Sequence, residues 1–218
     1  MWVVILFLGL SVGTTLLYKY VPVPVSPLMI IRLFEQMKDG EQLKLAHRWV
    51  PMDSISSELP RAVWASEDQN FFKHNGFDFE AIEKAIEESE KKGKLRGAST
   101  ISQQTAKNVF LWPSSTYTRK AFEAYFTVLI ETFWSKQRIM EVYLNTIEMG
   151  RGIYGAEAVA MEHFGCHASD LNQNQSALIA ASLPNPLKMN SGAPSGYMYK
   201  RQGQIKRQMR NLGPFPKD

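Results

Sequence analysis

The stretch RKAFEAYFTVLIETFW, residues 119–134, decides the fold. Its apolar residues recur every three to four positions without alternation, which is the period of a helix. Thr118 stands where an N-cap belongs, because a hydroxyl there can accept from an N–H of the first turn. One acid interrupts the apolar run. Glu123 has Arg119 four residues before it and Lys120 three before it, so both cations share its helix face. The plain reading is an ion pair at a helix start. The functional reading is a carboxylate and two cations on one wall of a cleft.

The same period continues on both sides. Upstream, Thr100 to Phe110 reads as a helix, and its positions Thr100, Gln103 or Gln104, and Lys107 recur on one face. Its start offers free N–H groups suited to an anion, and Gly97 allows close backbone approach. Asp78 to Lys92 is amphipathic, with Phe79, Ile82 and Ile86 expected to face inward. Downstream, Ser135 can cap KQRIMEVYLNTIE, AEAVAMEHFG follows, and NQNQSALIAASL opens with a capping box, Asn172 to Gln175. A last helix spans about Ser195 to Asn211. No alternating strand stands out, so the expected fold is mainly helical.

The N-terminus is of a different kind. Trp2 to Tyr18 carries no charge, close to the shortest run that spans a bilayer as a helix. No basic start or cleavage pattern marks a signal peptide, so an uncleaved anchor is expected. Lys19 after the run argues weakly against export, because long domains translocate largely regardless of charge. The prolines of VPVPVSP favour an extended spacer, and PLMIIRLFEQM has an apolar face fit for a membrane interface or for packing on the body. Net charge is +4, compatible with an anionic partner without selecting one. The single Cys166 excludes an internal disulfide.

Three motifs are weaker. GRGIYG (150–155) matches a dinucleotide fingerprint literally, but a helical pattern precedes it where a strand is required. His163, Cys166 and His167 have metal-like spacing without a fourth ligand. Lys200, Arg201, Lys206, Arg207 and Arg210 read as a solvated basic face or a contact for anionic lipid; an anchored chain with little other basic clustering points away from nucleic acid.

SEDQNFFKHNG (66–76) is the other candidate site. Glu67 lies near Trp64, Phe71 and Phe72 in sequence, and desolvation there would raise its proton affinity, as a general base requires. Two acids, Glu67 and Glu123, with cations between them suit glycosyl chemistry, in which one oxygen loses a proton and a leaving group departs.

EDQNFFKHNG, GASTISQQTAKN, RKAFE, RIMEVYLN and GRGIYGAEAVAMEHFG, in that order, resemble the five motif blocks of the peptidoglycan glycosyltransferases. The likeness covers Val50 to Asn211. It implies a lysozyme-like helical domain with a small membrane-associated subdomain. The implied organisation is an anchor at 1–20, a linker and membrane-proximal segment at 21–49, and a glycosyltransferase domain at 50–212. It further implies an inverting enzyme of the bacterial cytoplasmic membrane, single-pass, with its catalytic domain on the periplasmic side. Such an enzyme polymerises lipid II into β-1,4-linked glycan and releases undecaprenyl pyrophosphate. By this resemblance Glu67 is the base, and Glu123 organises the donor site. Lys107, Arg119 and Lys120 face the pyrophosphate, while Gly97, Ser99, Thr100, Gln103, Gln104 and Asn108 shape the cleft. Asp68 is a candidate contact for a divalent cation (Mg or Mn), which assists some members. Other cell-wall synthesis proteins are partners by resemblance alone. Many members carry a further basic residue before the RK pair; here Ser114 and Ser115 occupy that stretch. With no room after Asn211 for a penicillin-binding domain, the monofunctional type is expected. A lytic enzyme on the same fold and a non-catalytic glycan-binding protein remain the rival readings.

Overall fold

The computed structural model describes residues 1–92 and 99–216, and among them the chain is mainly helical. Helix α1 (Trp2–Tyr20) has the length and apolar composition to cross a membrane, and its first turns stand clear of the body, with Trp2 77% exposed. Its second half docks. Ser11 Oγ lies 2.7 Å from the Tyr125 hydroxyl, Trp134 Nε1 donates to the Thr15 carbonyl at 2.8 Å, and Arg138 donates to the carbonyls of Tyr18 and Val21.

After the proline spacer, Ser26 caps α2 (Pro27–Lys38), with proline in the first turn, where a missing N–H costs nothing. Met29 is buried, whereas Ile30, Phe34 and Met37 are exposed on another face. Helix α3 (Glu58–Glu67) buries Leu59, Ala62, Val63 and Trp64; the sequence pattern alone did not indicate it. Helix α4 (Phe79–Lys92) forms as expected but is oriented differently. Phe79 is 75% and Ile86 53% exposed, so these side chains do not face the core as expected. Amphipathic spacing identifies a helix and its apolar face, but not what that face meets.

Helices α5 (Ile101–Phe110), α6 (Tyr117–Phe133) and α7 (Lys136–Thr146) pack together. Thr116, not Thr118, caps α6 by accepting from the Arg119 N–H at 3.4 Å; Thr118 lies inside the first turn, where its hydroxyl is past the capping position. Ser135 caps α7 as expected. Helices α8 (Ala156–Phe164), α9 (Gln173–Ser182) and α10 (Gly196–Leu212) complete the order. Asn172 and Gln175 form the expected box before α9, and Ser195 caps α10.

Among the described residues, three short strands form where no alternation stood out in sequence: β1 (Ala46–His47), β2 (Glu148–Gly150) and β3 (Ile153–Tyr154), in sheet order β1-β3-β2. Strand β3 runs parallel to β1 and antiparallel to β2. GRGIYG therefore forms a hairpin and its exit into α8. At Gly155, φ is +82°, and a Cβ would meet the Asn145 carbonyl oxygen at 2.6 Å, so the glycine is required by the fold. Strands of two or three residues are too short for alternation to be read from sequence. One continuous buried cluster joins α3, α9 and α10 to α5, α6 and α7, with Phe71, Ile130, Tyr143 and Leu144 fully buried.

Candidate active site

Glu67 is the last residue of α3. The helix stops there because Asp68 leaves helical geometry at φ −159°, and its carboxylate is committed elsewhere. Asp68 accepts from the Ile101 N–H at 3.0 Å and lies 3.0 Å from His74 Nε2. It thereby ties α3 to the start of α5. The Glu67 side chain borders a cavity of about 830 Å³ that it lines with Gln104, Lys107, Lys200 and Arg201. Gln104 donates to it at 3.3 Å and Ser66 Oγ at 3.1 Å. Burial raises the Glu67 pKa above the ordinary carboxylate value; the bonds from Gln104 and Ser66 and the charge of Arg201 oppose that rise without cancelling it. The neighbouring aromatic rings pack elsewhere. Trp64 and Phe72 stack edge to face at 5.3 Å, and both meet Phe215.

A second cavity, about 370 Å³, is lined by Lys107, Asn108, Arg119, Arg32 and Glu148. It shares Gln104, Lys107, Leu183 and Pro184 with the first, so the two form one cleft. Glu123 lies behind this end, 3% exposed, and receives Arg119 Nη1 at 2.5 Å and Lys120 Nζ. Arg119 Nε is buried with no protein acceptor among the described residues. Burial pushes the Lys107 amine below its usual value; Glu123 opposes the shift, and Arg119 and Lys120 add to it. The cleft thus carries a partly desolvated carboxylate, Glu67, in one cavity and cations along both, an arrangement that can take a proton and hold an anion.

The candidate residues divide along these lines. Glu67, Gln104, Lys107, Asn108 and Arg119 line the cleft, and exposed Ser99 lies at its edge. Thr100 and Gln103 are buried as the capping box of α5, with Thr100 Oγ1 also donating to the Gly76 carbonyl at 2.7 Å. The free helix start expected there is partly closed, because Asp68 and Thr100 take the N–H groups of Ile101 and Gln103. Lys120 reaches Glu123 from the exposed side of α6 and does not line either cavity. Gly97 lies outside the described residues. Asp68 does not fit a cation site: its oxygens are engaged by His74 and Ile101, and no three acidic, His or Cys side chains converge among the described residues. His163 and His167 also separate, His163 pairing with Ser191 at 2.7 Å and His167 with Glu157 at 2.8 Å.

Four charged cleft residues went unassigned from the sequence. Lys200 and Arg201 read as a solvated basic face, yet α10 folds back beside α3, and Arg201 reaches toward the Ser66 carbonyl at 3.5 Å. Arg32 and Glu148 carried no local signal at all.

A family model described as Transglycosylase matches residues 35–210. The chain is 57% identical over 212 residues to a protein of Bacteroides thetaiotaomicron named biosynthetic peptidoglycan transglycosylase, covering 97% of this chain and 86% of that one. A protein of Caulobacter vibrioides with the same name is 57% identical over 203 residues, covering 92% and 86%. One from Bdellovibrio bacteriovorus, again so named, is 50% identical over 202 residues, covering 93% and 81%.

Proposed function

This chain belongs to the transglycosylase family, and from that premise we propose that it polymerises lipid II into the β-1,4-linked glycan of peptidoglycan, releasing undecaprenyl pyrophosphate. The observation that carries the reading is the shared wall of the two cavities: Gln104 and Lys107 line both, with the Glu67 carboxylate in one and Arg119 in the other.

Glu67 takes the proton from the acceptor's 4-hydroxyl. As the O–H bond breaks, that oxygen bonds to the anomeric carbon of the growing strand's terminal sugar. The bond from that carbon to the pyrophosphate breaks, and the pyrophosphate leaves with the electron pair. Attack from the opposite face inverts the centre from α to β. The leaving group is already a weak base, so it needs charge neutralisation instead of a protonating acid. Lys107 and Arg119 supply that charge. Glu123 orients Arg119 and holds Lys120 against α6. Arg201 and Lys200 flank the Glu67 end, where the acceptor would lie.

The substrate's polyprenyl tail requires the cleft to open near lipid. An anchor in α1, the exposed stripe Ile30, Phe34 and Met37 of α2, and a periplasmic catalytic domain meet that requirement. Residues 1–20 then act as anchor, 21–49 as the membrane-proximal segment and 50–212 as the polymerising domain. The test is polymer formation from purified lipid II. The wild-type protein yields glycan chains, and Glu67→Gln loses at least about a hundredfold in rate, the scale of a positioned base. Near-normal rate in that variant removes Glu67 from the reaction. Shortening of preformed glycan would instead favour a lytic enzyme.

A further inference from the structure

Arg32 lies ahead of the residues that the family model matches, yet it lines the cationic end of the cleft beside Lys107 and Arg119. It arrives there on α2, together with Leu28 one turn earlier on the same helix face. The helix itself is held in place. Gln36 is buried and bonds Lys44 in both directions, Nε2 to the Lys44 carbonyl at 3.2 Å and the Lys44 N–H to Oε1 at 2.7 Å.

The guanidinium is then aimed by two acids. Nε donates to Glu148 Oε2 at 3.3 Å and Nη1 to Glu35 Oε2 at 2.6 Å. Glu148 comes from β2, is 6% exposed, and also accepts from the Tyr154 hydroxyl at 3.4 Å. A guanidinium carries five N–H donors, and the Nη2 group has no protein acceptor among the described residues. An ion pair with donors left over, on the wall of a cavity that already holds two cations, differs from a closed structural bridge. Its charge is matched by the two acids, and what it still offers a ligand is the hydrogen-bonding capacity of Nη2.

We propose that Arg32 is a third anion-binding residue for the pyrophosphate of the lipid-linked donor, with Glu148 as the residue that positions it. This rests on the polymerase reading above. The site is then completed by a residue ahead of the family match, and α2 couples the membrane-proximal segment to the reacting end of the cleft. Arg32 touches the phosphate oxygens; Glu148 acts only through Arg32.

The test measures lipid II binding in detergent micelles on the Glu67→Gln protein, whose turnover is expected to be at least about a hundredfold slower. Adding Arg32→Ala should weaken binding about tenfold, the scale of one charge-assisted contact. Arg32→Lys, which keeps the charge, should recover part of it. Glu148→Gln should weaken binding by a smaller factor, about threefold, because the cation stays but is less well aimed. The Arg32→Gln, Glu148→Gln pair leaves no lone buried acid and guards against a variant that fails to fold. Lys107→Ala is the control. If Lys107→Ala weakens binding while the folded Arg32 variants match the Glu67→Gln protein, Arg32 and Glu148 are a structural pair and this inference is overturned. If the wild-type protein makes no polymer and the Glu67→Gln protein binds no lipid II, the polymerase reading itself fails and takes this inference with it.

Discussion

Gln104 donates its amide to Glu67 at 3.3 Å while its own oxygen accepts the hydroxyl of Tyr143 at 3.2 Å. Tyr143 is fully buried, so the amide is held from behind and presented to the carboxylate in one orientation. Gln104→Leu removes a bond that favours the ionised base. The expected result is a fall in kcat of about tenfold, within the range for loss of a supporting contact, with the acid limb of the rate profile moved further upward. Tyr143→Phe should give a smaller effect of the same sign. Steady-state kinetics with lipid II checks both; an unchanged acid limb in Gln104→Leu would separate this amide from the base.

The pH profile follows from two opposite shifts. Glu67 acts ionised, and its pKa is raised by burial, so activity should be lost on acidification at a higher pH than for a solvated carboxylate. Lys107 acts protonated, and its pKa is lowered by burial, so the alkaline limb should begin below the usual lysine range. Lys107→Arg keeps its charge at all accessible pH and should extend that limb without moving the acid one. The stability term of Glu67 has a defined sign. The fold favours its protonated form, so that contribution is complete below the unfolded pKa and is lost as pH rises through the raised folded value. Rate measured against pH in wild type and Lys107→Arg decides the matter.

Glu123→Ala leaves Arg119, 9% exposed, without its acceptor. Breaking a buried pair by removing one partner costs about 3 kcal/mol or more. Thermal melts in detergent should show that loss together with a large fall in rate. Lys120→Met, at an exposed position whose partner Glu123 keeps Arg119, should change stability by less than about 1 kcal/mol. Equal losses in the two variants would contradict the division of labour drawn here.

Asp68→Asn tests structure against metal chemistry at one position. It weakens the bonds from Ile101 and His74 and should cost about 2 kcal/mol of stability, the scale for bonds to a charged acceptor. Added magnesium should not restore the melting temperature. A magnesium-dependent rate in wild type that vanishes in Asp68→Asn would return Asp68 to the role of cation contact.

The helical class and most helix starts were legible in the sequence. Ser135, Asn172 and Gln175 cap where their spacing placed them, because a cap is a local bond within one turn. Glu67, Gln104 and Lys107 were legible as candidates through the five ordered motif blocks, and the structure places them around one cleft. The resemblance also suggested Thr100 and Gln103 as cleft residues, but in the structure they cap α5. A side chain that caps a helix and one that faces a cleft look alike in sequence, and only the packed fold tells them apart.

What the sequence by itself determined is therefore what local bonds and periodicity can encode: an apolar N-terminal helix, a mainly helical body, and a pair of acids with cations at helical spacing. Tertiary structure alone decided which side chains share the cleft. Arg201 meets the Glu67 end because α10 packs on α3 and α9, and Arg32 meets Glu148 across more than a hundred residues of chain because α2 docks beside α5. It also turned Phe79 and Ile86 outward. The physical reason is the same in each case. Helix periodicity fixes which face is apolar or charged, whereas the partner of that face is set by long-range packing that no local pattern records.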